Sequence, residues 1–382
     1  MKDPIFKNQQ VNQNKINGAF NISIQETAGS LIQPSFSIPI LFLFFLLIIT
    51  PGCKKDSVST TSYQVVNLVA DTAGYGAARI DTNLVNPWGI AIGPTGSFWI
   101  SSNHKSLTTI YDRNGAQLLA PIDIPAPGQP DGGAPTGVIY NSTSSFGTSK
   151  FIYVGEDGIV SAWSSGTSAI TVADRSAFNA VYKGVTIAND GSPNFIYAAN
   201  FKGNNIDVFD NTFNFITTKP FDNLGSPAIP ADFAPFNIQN IGGMLYVTYA
   251  KHKAPDNQDD ERGVGNGYIN VFTPAGVFVK RFASNGTLNS PWAIAKAPDG
   301  FGLGTGAILI GNFGDGRINV YDSSGTYQGQ LKDASGNALG IDGLWALTFP
   351  QNNIPAGDQN QLFFTAGPHG EDHGIFGYIK IQ

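Results

Sequence analysis

Apolar and polar positions along this chain fall into short runs that recur as a set. Six times between Asn86 and the C-terminus an apolar opening strand is followed by a strand ending in small or polar residues, then by a strand closing on an aromatic. The third strands read LTTIYD, GIVSAWS, NIDVFD, YINVFT, RINVYD and IFGYIKI, so Tyr111, Trp163, Phe209, Phe272, Tyr321 and Tyr378 return roughly every 50 residues, the period of propeller blades. The runs alternate or are apolar throughout, as in sheets buried on both faces. Helix-period patterns are nearly absent.

The spacing predicts an all-β, six-bladed propeller with four antiparallel strands per blade. Blades one to five each have a fourth strand, for example Gln117 to Ile124 or Val277 to Ala283, but the chain stops at Gln382 directly after the third strand of blade six. Tyr63 to Ala70 (YQVVNLVA) is a strand with no other home. Pairing it into blade six gives 24 strands and closes the ring without an exposed edge.

Length alone would divide 382 residues into two or three domains, but the repeat runs through about 300 of them without a break. The expected organisation is a leader and signal segment over 1–52, a polar tether over 53–62 and one propeller over 63–382. Gly 45 and Pro 23 with 13% charged residues fit a chain of tight turns. The formal charge of −6 supplies no basic stripe for phosphates, so nucleic acid is excluded as a partner class.

The single cysteine, Cys53, cannot form an internal disulfide. It follows IPILFLFFLLII, residues 38–49, an apolar run of 12 residues bounded by Thr50-Pro51-Gly52 and then Lys54-Lys55. That run has signal-peptide rather than spanning length. With Cys53 it resembles a bacterial lipoprotein signal, which implies acylation at Cys53, export, and anchoring through two or three acyl chains. Pro51 departs from the usual small residue there.

The PWGIA and PWAIA openings at Pro87 and Pro291, the INVFT and INVYD third strands and the GNG before Tyr268 resemble an uncharacterised family of exported bacterial six-bladed propellers. That family is distantly similar to NHL-repeat and gluconolactonase-like propellers. The resemblance spans Tyr63 to Gln382 and bears on fold and export more than on chemistry. In gluconolactonase-like enzymes, strand-one positions hold a metal. The matching positions here are Trp88, Thr136, Phe236 and Trp292, with only Asp342 acidic, so that metal set is not reproduced.

In such propellers the loops from strand two to strand three share one face with the opening of strand one. All four histidines fall in that loop class: His104, His252, His369 and His373. The same loops contribute Asn103, Glu156, Asp157, Asn200, Asp315 and Glu371, which with His104, His369 and His373 make the candidate ligand-binding set. His104, His369 and His373 could supply imidazoles to Zn²⁺. The long loop from Lys251 to Gly267 (KHKAPDNQDDERGVGNG) could ligate Ca²⁺ through Asp256, Asp259 and Asp260, or serve as a solvated acidic flap over the channel. Trp88 and Trp292 either offer a stacking surface or plug the channel.

The resulting expectation is a monomeric, lipid-anchored propeller that binds a small molecule, glycan or protein through this loop face without turnover. The alternative is a metal-dependent hydrolase or lyase using the histidines and carboxylates of the same face.

Overall fold

Six blade sheets in chain order, with a two-stranded ribbon of Pro125–Ala126 and Gln129–Gly132 beside them, make up the fold of the computed structural model, which describes residues 61–191, 193–222, 224–351 and 355–382. The leader, Cys53 and almost all of the tether lie outside the described residues. The opening strands of the six blades are Pro87–Ile92, Pro135–Tyr140, Tyr182–Asn189, Phe233–Ile241, Pro291–Lys296 and Leu344–Thr348. In each blade the next two strands pair antiparallel outward from it.

Tyr63–Ala70 pairs antiparallel with Ile375–Ile381, from Tyr63 opposite Ile381 to Ala70 opposite Ile375. It therefore supplies the fourth strand of blade six, as expected from the strand that the last blade lacks. Leu68, Val69 and Ala70 are buried, and the Tyr63 hydroxyl donates to the Phe301 carbonyl at 2.9 Å, tying the strand to blade five as well. One detail differs from expectation: Arg79–Ile80 pairs parallel with Val69 and Ala70, giving the closing sheet a fifth strand. A two-residue strand carries no periodicity to read.

The recurring aromatic of strand three sits where blades meet. Trp163 of blade two lies 4.7 Å from Trp99 of blade one, and Tyr321 of blade five 5.6 Å from Phe282 of blade four. Phe98 of blade one packs 4.3 Å from Phe363 and 5.3 Å from Phe376 of blade six. Aromatic burial of this kind drives wedge-to-wedge packing of sheets.

Several hairpins from strand three to strand four close on an aspartate. Asp112 accepts from the Asn114 and Ala116 amides, both at 2.8 Å, and Asp322 accepts from Ser324 and Thr326 at 2.9 and 3.0 Å. The Ser324 hydroxyl and those amides hold the Asp322 carboxyl down at about 2. These Asx turns set the outer hairpins.

Candidate functional site

The opening strand of every blade breaks register at the same place. The shift falls between Pro87 and Ile90, at Pro135 to Val138, between Tyr182 and Gly184, between Pro235 and Asn237, between Pro291 and Ala293, and between Leu344 and Leu347. Aligned on that bulge, the equivalent residues are Trp88, Thr136, Lys183, Phe236, Trp292 and Trp345. A bulge re-aims its side chain, and here it re-aims six of them toward the axis.

Just beyond the bulge, small residues let the strands close in. A Cβ on Gly89 would stand 2.8 Å from the Thr136 carbonyl oxygen and from the Val138 amide nitrogen. The channel is thereby narrowed to backbone contact beneath the ring.

The ring is a plug. Trp88 stacks on Trp345 at 3.5 Å, Trp345 stacks on Phe313 at 3.7 Å, and Trp292 meets Trp88 and Trp345 edge-on at 6.2 and 5.9 Å. All are nearly inaccessible to solvent. Each end of the column carries a cation: Lys183 Nζ lies 5.1 Å from the Trp88 ring and the Arg262 guanidinium 4.2 Å from Phe313. Buried to 2% and 4% exposure, Trp88 and Trp292 offer no stacking surface.

Lys183 is 2% exposed and is the ionisable member of the ring. Burial pulls its pKa down, but the carboxylates of Glu156, Asp259 and Asp260 more than offset this and leave it raised. Its ammonium bonds Glu156 and reaches Asp259 at 3.4 Å. Glu156 in turn accepts from Asn103 Nδ2 at 3.0 Å.

Asn86 organises the opposite side. Its backbone is left-handed, φ 45°, a conformation Asn tolerates. Its amide nitrogen donates to Glu371 Oε2 at 2.8 Å and stands 3.3 Å from His104 Nε2, while its oxygen accepts from Trp345 Nε1 at 2.9 Å. Glu371 sits in a Gly-bounded loop with φ of 78° and pairs with Arg262 at 3.6 Å. Burial raises its pKa to about 7, with the Asn86 bond opposing and the Glu156 charge adding to the rise. Left-handed His369 and Glu371 flank Gly370, a concentration of costly backbone of the kind found at functional sites.

Above the plug lies a cavity of about 330 Å³ lined by Trp88, Trp345 and Phe313 below, Lys183 and Glu371 at the sides, and the loop residues Lys253 and Asp259 to Arg262. The loop from Lys251 to Gly267 thus walls the mouth, continuing its hairpin through the His252 to Asp260 bridge. Burial raises the Asp260 pKa, opposed by the Ser290 hydroxyl, Lys183 and Arg262. Two polar atoms of this lining, Trp88 Nε1 and Asp260 Oδ2, are buried without a hydrogen bond of good geometry among the described residues, as is the Ser290 hydroxyl beside Asp260.

Of the residues marked from sequence, Asn103, His104, Glu156, Asp259, Asp260 and Glu371 come together around this mouth. His369 and His373 stand at the rim, their rings 5.5 Å apart, with Tyr75 hydroxyl 2.7 Å from His369 Nδ1 and Asp71 2.8 Å from His373 Nδ1. Asp157, Asn200 and Asp315 are tied to turn amides instead: Asp157 binds Ala134 and Ile159, Asn200 binds Val181 and Gly203, and Asp315 binds Arg317. His252 turns inward, its Nε2 2.8 Å from the Phe201 carbonyl oxygen.

Among the described residues no three His, Cys, Asp or Glu side chains are grouped as a metal site, so neither His104 with His369 and His373 nor Asp256 with Asp259 and Asp260 forms a ligand set. Their donors are spent elsewhere: the imidazoles on Asn86, Tyr75 and Asp71, and Asp259 on Lys183, while Asp256 is exposed.

Sequence reasoning missed Lys183, Asn86, Trp345, Phe313 and Arg262 as site residues. Lys183 had a signal: it is the one charge in the column of residues preceding Gly89, Gly137, Gly184, Asn237, Ala293 and Ala346. Arg262 had none, since its loop lies outside the repeat.

No family model matches the chain. An uncharacterized protein of Acanthamoeba polyphaga mimivirus is 35% identical over 335 residues, covering 84% of this chain and 81% of its own. A second from the same virus is 35% identical over 349 residues, covering 87% and 88%. Among solved structures, a protein of unknown function from Bacteroides thetaiotaomicron superposes with a TM-score of 0.54 at 12% identity, covering 84% of this chain and 76% of its own. A streptogramin B lyase gives 0.50 at 13%, covering 84% and 97%. These structural neighbours are propellers of the NHL and gluconolactonase type and speak to the fold alone, and the sequence relatives are viral, so they do not carry the bacterial, exported part of the resemblance.

Proposed function

The chain belongs to the family of these mimivirus proteins, and from that premise we propose that it is a binding module which takes a small polar ligand at the channel mouth. The propeller fold fits such a role. The supporting observation is the 330 Å³ cavity whose lining includes a buried donor, Trp88 Nε1, and a buried acceptor, Asp260 Oδ2, without partners. Buried polar atoms left unpaired each cost about 1–3 kcal/mol, a cost a bound polar ligand would remove.

Because Trp88 and Trp345 border the cavity, occupancy should change intrinsic fluorescence and raise the melting temperature. A panel of amines, polyols and small acids, titrated into the full chain with both readouts, tests the reading. It fails if none of them shifts either signal.

The presentation of this module follows the signal-like segment: export and acylation at Cys53, with residues 54–62 as the tether to a propeller beginning at Tyr63. Metabolic labelling with an alkyne fatty acid should mark the wild-type chain and not Cys53→Ala. Label retained by that variant would remove the anchor.

One observation favours a second reading, a hydrolase or lyase. Glu371, raised to about 7 and lining the cavity, is suited to donate or accept a proton near neutral pH. Its metal-dependent form has no assembled ligand set among the described residues.

A further inference from the structure

Resting on the binding reading above, we infer that the mouth cavity selects a small organic cation, a primary ammonium compound that also carries a hydroxyl or carbonyl acceptor, with the ammonium held by Asp260 beside Glu371. The argument begins with which charges in the lining are already matched. Lys183 is shared by two carboxylates, Glu156 and Asp259. Arg262 pairs with Glu371 while its guanidinium lies on Phe313, and Glu261 pairs with Lys251 at 2.7 Å. Among the described residues of the lining, Lys253 and Asp260 form no ion pair at contact distance, although Lys183 and Arg262 act on Asp260 from farther away.

These two leftovers are not equivalent. Lys253 is exposed and can hold its ammonium in water. Asp260 cannot do the same, because its Oδ2 is buried, with the Ser290 hydroxyl nearby but no hydrogen bond of good geometry formed. Asp259 is 65% exposed and is screened by water, so within the enclosed part Glu156 is matched by Lys183 and Glu371 by Arg262, and Asp260 is the carboxylate left over. A buried unpaired carboxylate is strongly unfavourable, and an incoming cation with N–H donors relieves it directly.

The second orphan sets the rest of the ligand. Trp88 is 2% exposed, lines the same cavity, and its Nε1 can only donate. It therefore calls for an acceptor on the ligand. A diamine satisfies Asp260 alone, and a carboxylate satisfies Trp88 alone while adding to the negative charge. An amino alcohol or amino sugar satisfies both, and a cavity of about 330 Å³ has room for a monosaccharide-sized compound.

Glucosamine, glucose and glucuronate form a set of near-equal size that differs in charge, and calorimetric titration of each into the full chain at pH 7 tests the inference. Glucosamine should bind at least tenfold more tightly than glucose, and glucuronate most weakly. Asp260→Asn should bring glucosamine and glucose within about threefold of each other. Trp88→Phe, which keeps the ring and deletes the donor, should weaken both and preserve the ratio. Glucose or glucuronate binding as tightly as glucosamine overturns the cation and leaves a binding module. An unchanged ratio in Asp260→Asn, with the variant's melting temperature maintained, overturns the assignment of Asp260. Absence of binding by all three sugars and by putrescine overturns the inference and the binding reading together.

Discussion

Replacing Glu371 by Gln should make the protein more stable above neutral pH and leave it nearly unchanged below pH 5. In the folded protein the Glu371 pKa is about 7, against an ordinary value of 4.5, because burial beside Glu156 disfavours the charge more than Asn86, Lys183 and Arg262 favour it. A carboxyl raised on folding binds its proton more tightly in the native state, so stability is greatest below pH 4.5 and is lost as pH rises toward 7. The shift of some 2.5 units corresponds to about 3 kcal/mol at full strength. The side chain is 26% exposed, and solvent screening brings the expected loss nearer ~2 kcal/mol. Glu371→Gln keeps the Asn86 contact and removes the charge. The cost is the half-exposed pair with Arg262, worth at most about 1 kcal/mol. Paired urea titrations of wild type and variant at pH 5, 6, 7 and 8, at constant ionic strength, should show the variant's relative stability rising by ~2 kcal/mol across that range. A difference that stays flat, or that falls with pH, would refute the assignment of a buried, reluctantly ionised carboxyl at the mouth.

Four further outcomes follow from the packing. Lys183→Met leaves the partly buried Glu156 without its cation and should cost about 1–3 kcal/mol, whereas adding Glu156→Gln should recover at least half; the double-mutant cycle by thermal denaturation decides, and additive losses would contradict the pairing. Trp345→Ala removes the ring between Trp88 and Phe313 and should cost about 3–5 kcal/mol with a shift in intrinsic fluorescence. Gly184→Ala places a Cβ 2.9 Å from Asn237 Cα, which predicts a loss of about 1–3 kcal/mol by urea titration. Deleting residues 63–70 exposes the edge of Ile375–Ile381 and should lower the melting temperature sharply, an effect whose absence would refute the strand closure.

The fold was legible because it is periodic. A strand that ends in the same place six times announces both the blade and the one strand missing from the last, which Tyr63–Ala70 supplies. The plug was half legible. Trp88 and Trp292 stand out as copies of one phrase, while Trp345 and Lys183 occupy the same bulge under different neighbours, Leu344 and Tyr182 in place of Pro87.

The site was less legible because its parts come from unrelated loops. Glu156, Asp260 and Glu371 are brought together by ring closure, over separations that local spacing does not encode. The histidines drew attention as a loop class, and class membership proved weaker than geometry: His252 points into the core, and His369 and His373 serve Tyr75 and Asp71 at the rim. Asp157, Asn200 and Asp315 looked functional as exposed polar residues, yet a loop at a strand end needs such groups to satisfy its own amides.

Crystals of the protein soaked with a mixture of primary amines and polyols would test the central claim, that the mouth on the strand-two loop face is the binding site. Density is predicted in the cavity bounded by Trp88, Lys183, Asp260 and Glu371, with an amine nitrogen within hydrogen-bond distance of Asp260 Oδ2. Density confined to the narrow opposite end, by Asn237, Gln239 and Thr348, would contradict it.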